Sequence, residues 1–415
     1  MTLPELIRNK DLRNFVFMRL CYAFGFNMLN TAVSWQVYDL THSYLSLGFI
    51  GLAVIVPYII TSLFSGYVAD IKDRKTIIFV CQILYAFIAV TMLCLNTILK
   101  DTLLLYGVWI IYGLMFLTGI VRGFLSPAQS AYVSQLTSRD LYTQVSPWLT
   151  LTWHISAVGG PALAGLVYAK YGSIFVYVMI LIIALLAIFF SVLLPKKEKP
   201  IRTEKETMKE SLTKGFSFVF SNQIILGALT LDMFAVLFGG AVAMLPAFSN
   251  EILFSGPETQ GFLRAAPAIG GILVGSYLTQ YPPNHNAGRK LLWCVAGFGV
   301  CTIIFAFSRN YYLSLLALAG TGAFDNVSMV VRGAIAQIYT PDDMRGRVSA
   351  VNGIFIGASN ELGEMESGLA AAAIGLVPSV ALGGCLTLLT VALTAKFAPK
   401  LRDLSLIEKR HTFSK

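Results

Sequence analysis

Apolar runs of about 20 residues, separated by short polar breaks, fill this 415-residue chain almost from end to end. A helix rises ~1.5 Å per residue, so ~20 apolar residues cross a hydrocarbon core ~30 Å thick. The pattern predicts spans over 15–38, 44–69, 76–95, 103–125, 141–168 and 173–194. It then predicts 223–248, 259–281, 291–307, 311–334, 348–376 and 378–397. The expected fold class is an all-α polytopic membrane protein with twelve transmembrane helices. With 56% hydrophobic and only 13% charged residues, the chain has too little charge to cover a soluble domain of this size. No cleavable signal peptide is expected, because the first apolar run follows Met1–Asn14, carries Arg19 and lacks a small-residue cleavage site.

The polar breaks sort by charge. One set holds Arg8, Lys10 and Arg13; Lys72, Arg74 and Lys75; Arg139; and seven basic residues between Lys196 and Lys214. Arg289, Lys290, Arg345, Arg347 and a basic tail from Lys400 to Lys415 belong to the same set. The alternate breaks offer Lys100, Lys170 and Arg309. The positive-inside rule places the basic set and both termini in the cytoplasm, which requires an even number of spans. This bias accounts for the net charge of +9, and no nucleic-acid partner is expected. All six cysteines fall inside spans, without metal-ligand spacing, and read as packing residues.

The polar stretch Pro195–Lys214 lies mid-chain and reads as a cytoplasmic linker. The sequences on either side echo each other. Gln135–Asp140, followed by Val145-Ser146, resembles Gln337–Asp342, followed by Val348-Ser349, at an offset of 202 and then 203. Gly66 with Arg74-Lys75 echoes Gly275 with Arg289-Lys290. The expected organisation is an N-terminal six-helix bundle over 1–194, a linker over 195–218, a C-terminal bundle over 219–398 and a cytoplasmic tail over 399–415. Two pseudo-symmetric bundles from a parallel duplication suit an alternating-access transporter with its site between the halves.

Several motifs carry a family resemblance. Gly66-Tyr-Val-Ala-Asp70-Ile-Lys-Asp-Arg74-Lys75 places a glycine, an acid and a basic pair between spans 2 and 3. It resembles the signature loop of the major facilitator superfamily, departing at Ile71, where a basic residue is usual, and at Asp73, where glycine is usual. Gly159-Gly160-Pro161 in span 5 is similar to the glycine–proline motif of superfamily antiporters; a packing kink is the other reading. Trp35–Thr41, Leu231–Gly240, Leu263–Gly270, Thr340–Asn352 and above all Ser359–Gly368 resemble the enterobactin-exporter-like branch of the superfamily. Glu364-Met365-Glu366 stands where that branch would have Glu-Phe-Glu. The resemblance implies the twelve-helix major facilitator fold and proton-driven export of siderophores or drug-like compounds across the bacterial inner membrane. It also implies that Gly66, Asp70, Arg74, Lys75, Gly160, Pro161, Arg345 and Arg347 act in the conformational change.

Ionisable groups at bilayer depth are costly and face a cavity or a partner. Asp232, Asp325, Glu361 and Glu364 are the proton-coupling candidates, with Arg122, which resembles a coupling arginine of superfamily antiporters and reads equally as a snorkelling side chain. Glu361 and Glu364 share a helix face, as a coupling pair or as a structural network with Arg345 or Arg347. Asp325 and Arg332 share a face ~10 Å apart along the axis and are expected not to pair without help from another helix. Arg19, Asn27, Asn30, Gln36, Trp148, Trp153, His154 and Arg264 are the candidates for lining a ligand site, with helix packing as the alternative.

No phosphate-binding loop, zinc-protease helix or nucleophile elbow occurs, so neither ATP-driven transport nor enzymatic catalysis is expected. No cofactor and no metal are expected. The leading reading is a proton-coupled siderophore exporter; a multidrug efflux transporter of the same fold and a siderophore importer are the alternatives. Its partners would be the small molecule, protons and the lipid bilayer, and a monomer is compatible with this reading.

Overall fold

Helices start where the sequence supplies a cap and stop where the backbone has to turn. A computed structural model describes residues 9–137, 139–197, 208–281, 283, 285–341 and 344–406, without the side chains of 63, 67, 70, 139–144, 208–212, 350 and 358. The first six long helices are α1 (Lys10–Thr41), α2 (Tyr44–Ile71), α3 (Arg74–Thr97), α4 (Lys100–Leu136), α5 (Arg139–Tyr171) and α6 (Ser173–Val192). The Asn9 side chain accepts from Leu12 N–H at the start of α1, and Ser43 does the same for Ser46 at the start of α2.

A shorter helix, α7 (Met208–Ser221), precedes α8 (Gln223–Phe238), whose first turn is capped by the Asn222 carboxamide. Then come α9 (Pro257–Gln280), α10 (Ala287–Phe307), α11 (Tyr311–Tyr339), α12 (Arg345–Ile374), α13 (Leu376–Phe397) and the single turn α14 (Pro399–Arg402). Asn310 caps α11 by accepting from Tyr312 and Leu313 N–H. Among the described residues no strand occurs and nine stretches are long and apolar enough to cross a membrane. The long helices outside that set are α1, α5 and α12, which carry many of the polar candidates, Gln36 and Glu361 among them buried.

The chain divides into two compact units. Unit 1 comprises Met1–Glu204 with Ser249–Ala265, and unit 2 comprises Lys205–Phe248 with Ala266–Lys415. Two packing arrangements recur in both. In unit 1, α1 packs on α5 and α6, while α3 packs on α4 and α6. In unit 2, α8 packs on α12 and α13, while α10 packs on α11 and α13. The glycine joining α5 to α6, Gly172, has φ +85°, and Gly375, joining α12 to α13, has φ +93°. A Cβ there would be strained, so the duplicated bundle repeats its glycine at the same junction.

Two segments are more structured than their polar sequences suggest. The second half of the expected linker forms α7, which places Phe216, Phe218 and Val219 in the core of unit 2. The expected tail begins by folding back: Leu401, Leu404 and Leu406 join that core, and Gly288 N–H donates to the Leu404 carbonyl. Arg402 bonds the Asp403 carboxylate, with Arg289 at 3.5 Å, and this holds Asp403 below the usual carboxylate range. Residues 407–415 lie outside the described residues.

Large apolar side chains face outward along the spans, including Phe64, Leu104, Leu105 and Leu273. In water, leaving each unburied would forgo ~1.5–3 kcal/mol. Trp293, Tyr281 and Tyr312, near helix ends, supply aromatic groups suited to a membrane interface.

Candidate functional site

Unit 2 holds a buried ionic cluster within its apolar helices. Arg332 on α11 donates from Nη1 to Oδ2 of Asp232 on α8 at 2.5 Å. Its Nη2 lies 3.7 Å from Oδ1 of Asp325, and its Nε donates to Ser328 Oγ at 3.2 Å. Asp325 and Arg332, expected not to pair without help from another helix, do meet, and α8 supplies Asp232 to the other side of the guanidinium. Helical side chains lean toward the N-terminus, so the long arginine reaches back over the two turns that separate the Cα atoms. The acids differ in access: the Asp232 side chain is 8% exposed and that of Asp325 is 37% exposed. A cavity of about 10 Å³ touches both, at the lower limit of what one water occupies. One cation shared between two carboxylates, one closed and one open, can gain or lose a proton without leaving an isolated buried charge.

The helix carrying Asp232 is broken two turns further on. The predicted span 223–248 ends as an α-helix at Phe238 and continues as a 3₁₀ turn (Ala241–Met244), a short α turn (Leu245–Ala247) and a π turn (Phe248–Ile252). Adjacent Gly239 and Gly240 and the missing N–H of Pro246 remove what would hold a regular helix there. The Ser359–Gly368 block backs this break. Gly363 lies against the Val236 and Leu237 carbonyls, and Ser367 Oγ donates to the Gly240 carbonyl at 3.3 Å. On α13, Thr387 Oγ1 donates to the Ala235 carbonyl at 3.3 Å.

Unit 1 offers a polar, aromatic interior instead. The Arg122 guanidinium on α4 lies 5.0 Å from the Tyr58 ring centre and 5.8 Å from that of Phe26. Tyr22 continues the series, stacked on Phe26 and edge-on to Tyr85. The Tyr22 and Tyr85 hydroxyls and the Gln82 carboxamide are buried without a hydrogen-bond partner among the described residues. The crossing of α2 and α4 that brings Tyr58 to Arg122 is tight, with Gly119 against the Val54 carbonyl and Gly123 against Thr61.

A sequence profile described as Major Facilitator Superfamily matches residues 15–364. The chain belongs to that superfamily. It is 27% identical to the "Enterobactin exporter EntS" of Shigella flexneri over 388 residues, 88% of each chain. It is 26% identical to the "Enterobactin exporter EntS" of Escherichia coli O81 (strain ED1a), over 88% of each chain. The fold matches that of a bacterial homologue of the iron transporter ferroportin in its inward-facing state, with TM-score 0.71, 14% identity and coverage of 97% of this chain and 100% of that one. It also matches a D-xylose–proton symporter, with TM-score 0.72, 14% identity and coverage of 95% and 98%. A superfamily member with these membrane helices is a multi-pass membrane transporter rather than an enzyme.

The superfamily signature loop serves helix ends. Arg74 donates from Nε to the Ala69 carbonyl and from Nη1 to the Ala131 carbonyl, closing the ends of α2 and α4. Lys75 Nζ donates to the Val192 and Leu194 carbonyls at the end of α6. Cations are favourable at these helix C-termini. Gly66 makes no close helix approach: a side-chain carbon there would meet nothing within 4 Å. The Asp70 side chain lies outside the described residues. Gly160 does bring α5 onto α1, against Asn27 and the Phe24 carbonyl, and Pro161 beside it is buried. At the head of α12, the Arg347 backbone packs on Gly215 of α7, and Arg345 is exposed.

The remaining candidates scatter. Gln36 does not line a ligand face: its carboxamide donates to Asn96 Oδ1 and accepts from the Tyr177 hydroxyl, both buried. Asn27 bonds back to the Ala23 carbonyl on its own helix. Trp153 is exposed, while Arg19, Asn30, Trp148, His154 and Arg264 are half-buried. On α12, Glu361 is buried and Glu364 half-buried. An apolar groove of about 590 Å³ between α8 and α13, lined by Leu226, Phe234, Leu389 and Phe397 among others, includes none of the predicted residues. Sequence reasoning also missed Glu251, which accepts hydrogen bonds from the Tyr38 and Tyr44 hydroxyls. Glu251 falls at a predicted span end, where a carboxylate carries no signal.

Proposed function

We propose that this transporter exports a siderophore from the bacterial cytoplasm across the inner membrane in exchange for protons, with both chain ends cytoplasmic. The observation that carries the coupling is the Asp232–Arg332–Asp325 cluster, an ionic site inside apolar helices beside the break of α8. Protonation of the more open Asp325 loosens its hold on Arg332 and leaves the guanidinium to Asp232, and deprotonation reverses this. Linked to the α8 break, that exchange biases the alternating-access equilibrium. Support for the ligand class comes from the naming of relatives as enterobactin exporters. It comes also from Arg122 among the Phe26, Tyr58 and Tyr22 rings, which suits a ligand with anionic and planar parts.

Proteoliposomes with an imposed pH gradient test the coupling. The wild type is expected to move siderophore against its gradient with a rate that depends on pH, and Asp325→Asn is expected to lose both uphill transport and pH dependence while keeping downhill counterflow. An Asp325→Asn protein that pumps with a normal pH profile would exclude this coupling site. Siderophore secretion that is unchanged in a deletion strain under iron starvation would exclude the substrate class.

A further inference from the structure

The apolar groove of unit 2 is long, one-sided and charged at one end. Its α8 wall carries Gln223, Gly227, Thr230, Phe234 and Phe238, a spacing of three or four residues that keeps one face of the helix turned to it. Asp232 is two residues from Thr230, about 200° around the helix, so its pairing with Arg332 lies on another side. The α13 wall runs from Leu386 to Phe397, with Leu389, Leu393 and Phe397 exposed. Both walls belong to stretches apolar enough to cross a membrane. From Gln223 to Phe238 the groove follows α8 for about 22 Å, longer than the ~15 Å of hydrocarbon in one leaflet. Its volume of about 590 Å³ falls within the ~300–1,000 Å³ of small-molecule sites. An acyl chain has this shape and this chemistry.

The two ends of the groove differ. Lys396 Nζ sits 5.5 Å from the ring centre of Phe397, and Lys400 stands two residues past Ala398, where the α13 wall stops. Both lysines are exposed, and among the described residues neither has a carboxylate partner. The carboxylate next in sequence, Asp403, is taken by Arg402 and Arg289. Gln223 Nε2 closes this end by donating to the Phe397 carbonyl at 3.3 Å. Charged side chains stay at the polar boundary of a bilayer, so this is the end where a lipid headgroup lies. None of the lining side chains is ionisable, and the far end, at Phe238 and Leu386, is apolar.

We propose that the groove between α8 and α13 binds one anionic phospholipid of the phosphatidylglycerol type, its acyl chain in the trough and its phosphate against Lys396 and Lys400. Lysine meets phosphate as a point charge, without the fixed fork of arginine. In phosphatidylcholine the same phosphate is cancelled by a fixed cation, so the two lysines discriminate between the lipids. The bound chain would line α8 along its outer face up to Phe238, the last residue before the helix breaks. The site rests on neither the siderophore nor the proton coupling.

Native mass spectrometry of the purified, delipidated full chain in detergent tests this, with phosphatidylglycerol and phosphatidylcholine of identical acyl chains added in equal amounts. The wild type is expected to retain one phosphatidylglycerol with a preference of about 25-fold, roughly fivefold from each lysine. Lys396→Gln is expected to lose about fivefold of that preference, and Lys396→Gln with Lys400→Gln nearly all of it. Thr230→Trp, which fills the trough and leaves the charge alone, is expected to lose the retained lipid. If Thr230→Trp does not fold, the exposed lysine changes carry the test. Equal retention of the two lipids by the wild type would mean ordinary lipid solvation and overturn the proposal. So would full preference in the double lysine variant, or unchanged retention in Thr230→Trp. A two-chain species in lipid-free detergent that Thr230→Trp abolishes would give the groove to a second copy instead.

Discussion

At the residue scale, the ionic cluster turns on one long side chain. Counting helix rise places Asp325 and Arg332 ~10 Å apart and suggests separation. The three acids and bases were visible in the sequence as residues in apolar spans; their joining was not, because it depends on a rotamer and on α8 crossing α11. Asp232 and Arg332 are so enclosed that removing one strands the other. Arg332→Ala is expected to destabilise the protein by about 3–5 kcal/mol, and Arg332→Ala with Asp232→Asn to recover part of that loss. Thermal unfolding in detergent reads both. If Arg332→Ala melts with the wild type, the pair contributes little to the fold.

At the scale of elements, the spans were legible because twenty-residue apolar runs have few other uses, and the repeated α5–α6 and α12–α13 junctions sit at the offset of the sequence echo. The break of α8 was not legible. Gly239-Gly240 is compatible with an unbroken membrane helix, where glycines also serve close packing. What decides is the partner: Gly363 and Ser367 of α12 meet the backbone where α8 loses its ladder. Gly363 allows a carbonyl contact at 3.0 Å of any added Cβ, so Gly363→Leu is expected to push α12 from α8 and abolish stable folding. Ser367→Ala removes one hydroxyl donor and is expected to cost only about 1 kcal/mol. Monodispersity in detergent checks the first and a melting curve the second. Equal effects would mean that α12 does not brace the break. Helix α7 escaped the polar reading of the linker for a related reason: Phe216 and Val219 matter only once unit 2 offers them a surface.

For the whole molecule, orientation follows from a difference in charge between alternate loops, and this is a property of the sequence that no packing detail alters. Three basic residues, Lys100, Lys170 and Arg309, lie in one set of breaks, against the many of the other. Lys/Arg in short loops oppose translocation, so the Lys72–Lys75, Arg289-Lys290 and Arg345–Arg347 loops are expected on the cytoplasmic side. Alkaline phosphatase, active only outside the cytoplasm, is therefore expected to be active when fused after Asn310 and inactive when fused after Lys290, although a single helix, α10, separates the two points. A green fluorescent protein joined to Lys415 is expected to fluoresce, since it matures in the cytoplasm. The reversed pattern would put both chain ends outside the cytoplasm, and export by the proposed exchange would have to run backwards. The fusion series thus fixes the direction in which proton exchange at the Asp232–Arg332–Asp325 cluster can do work.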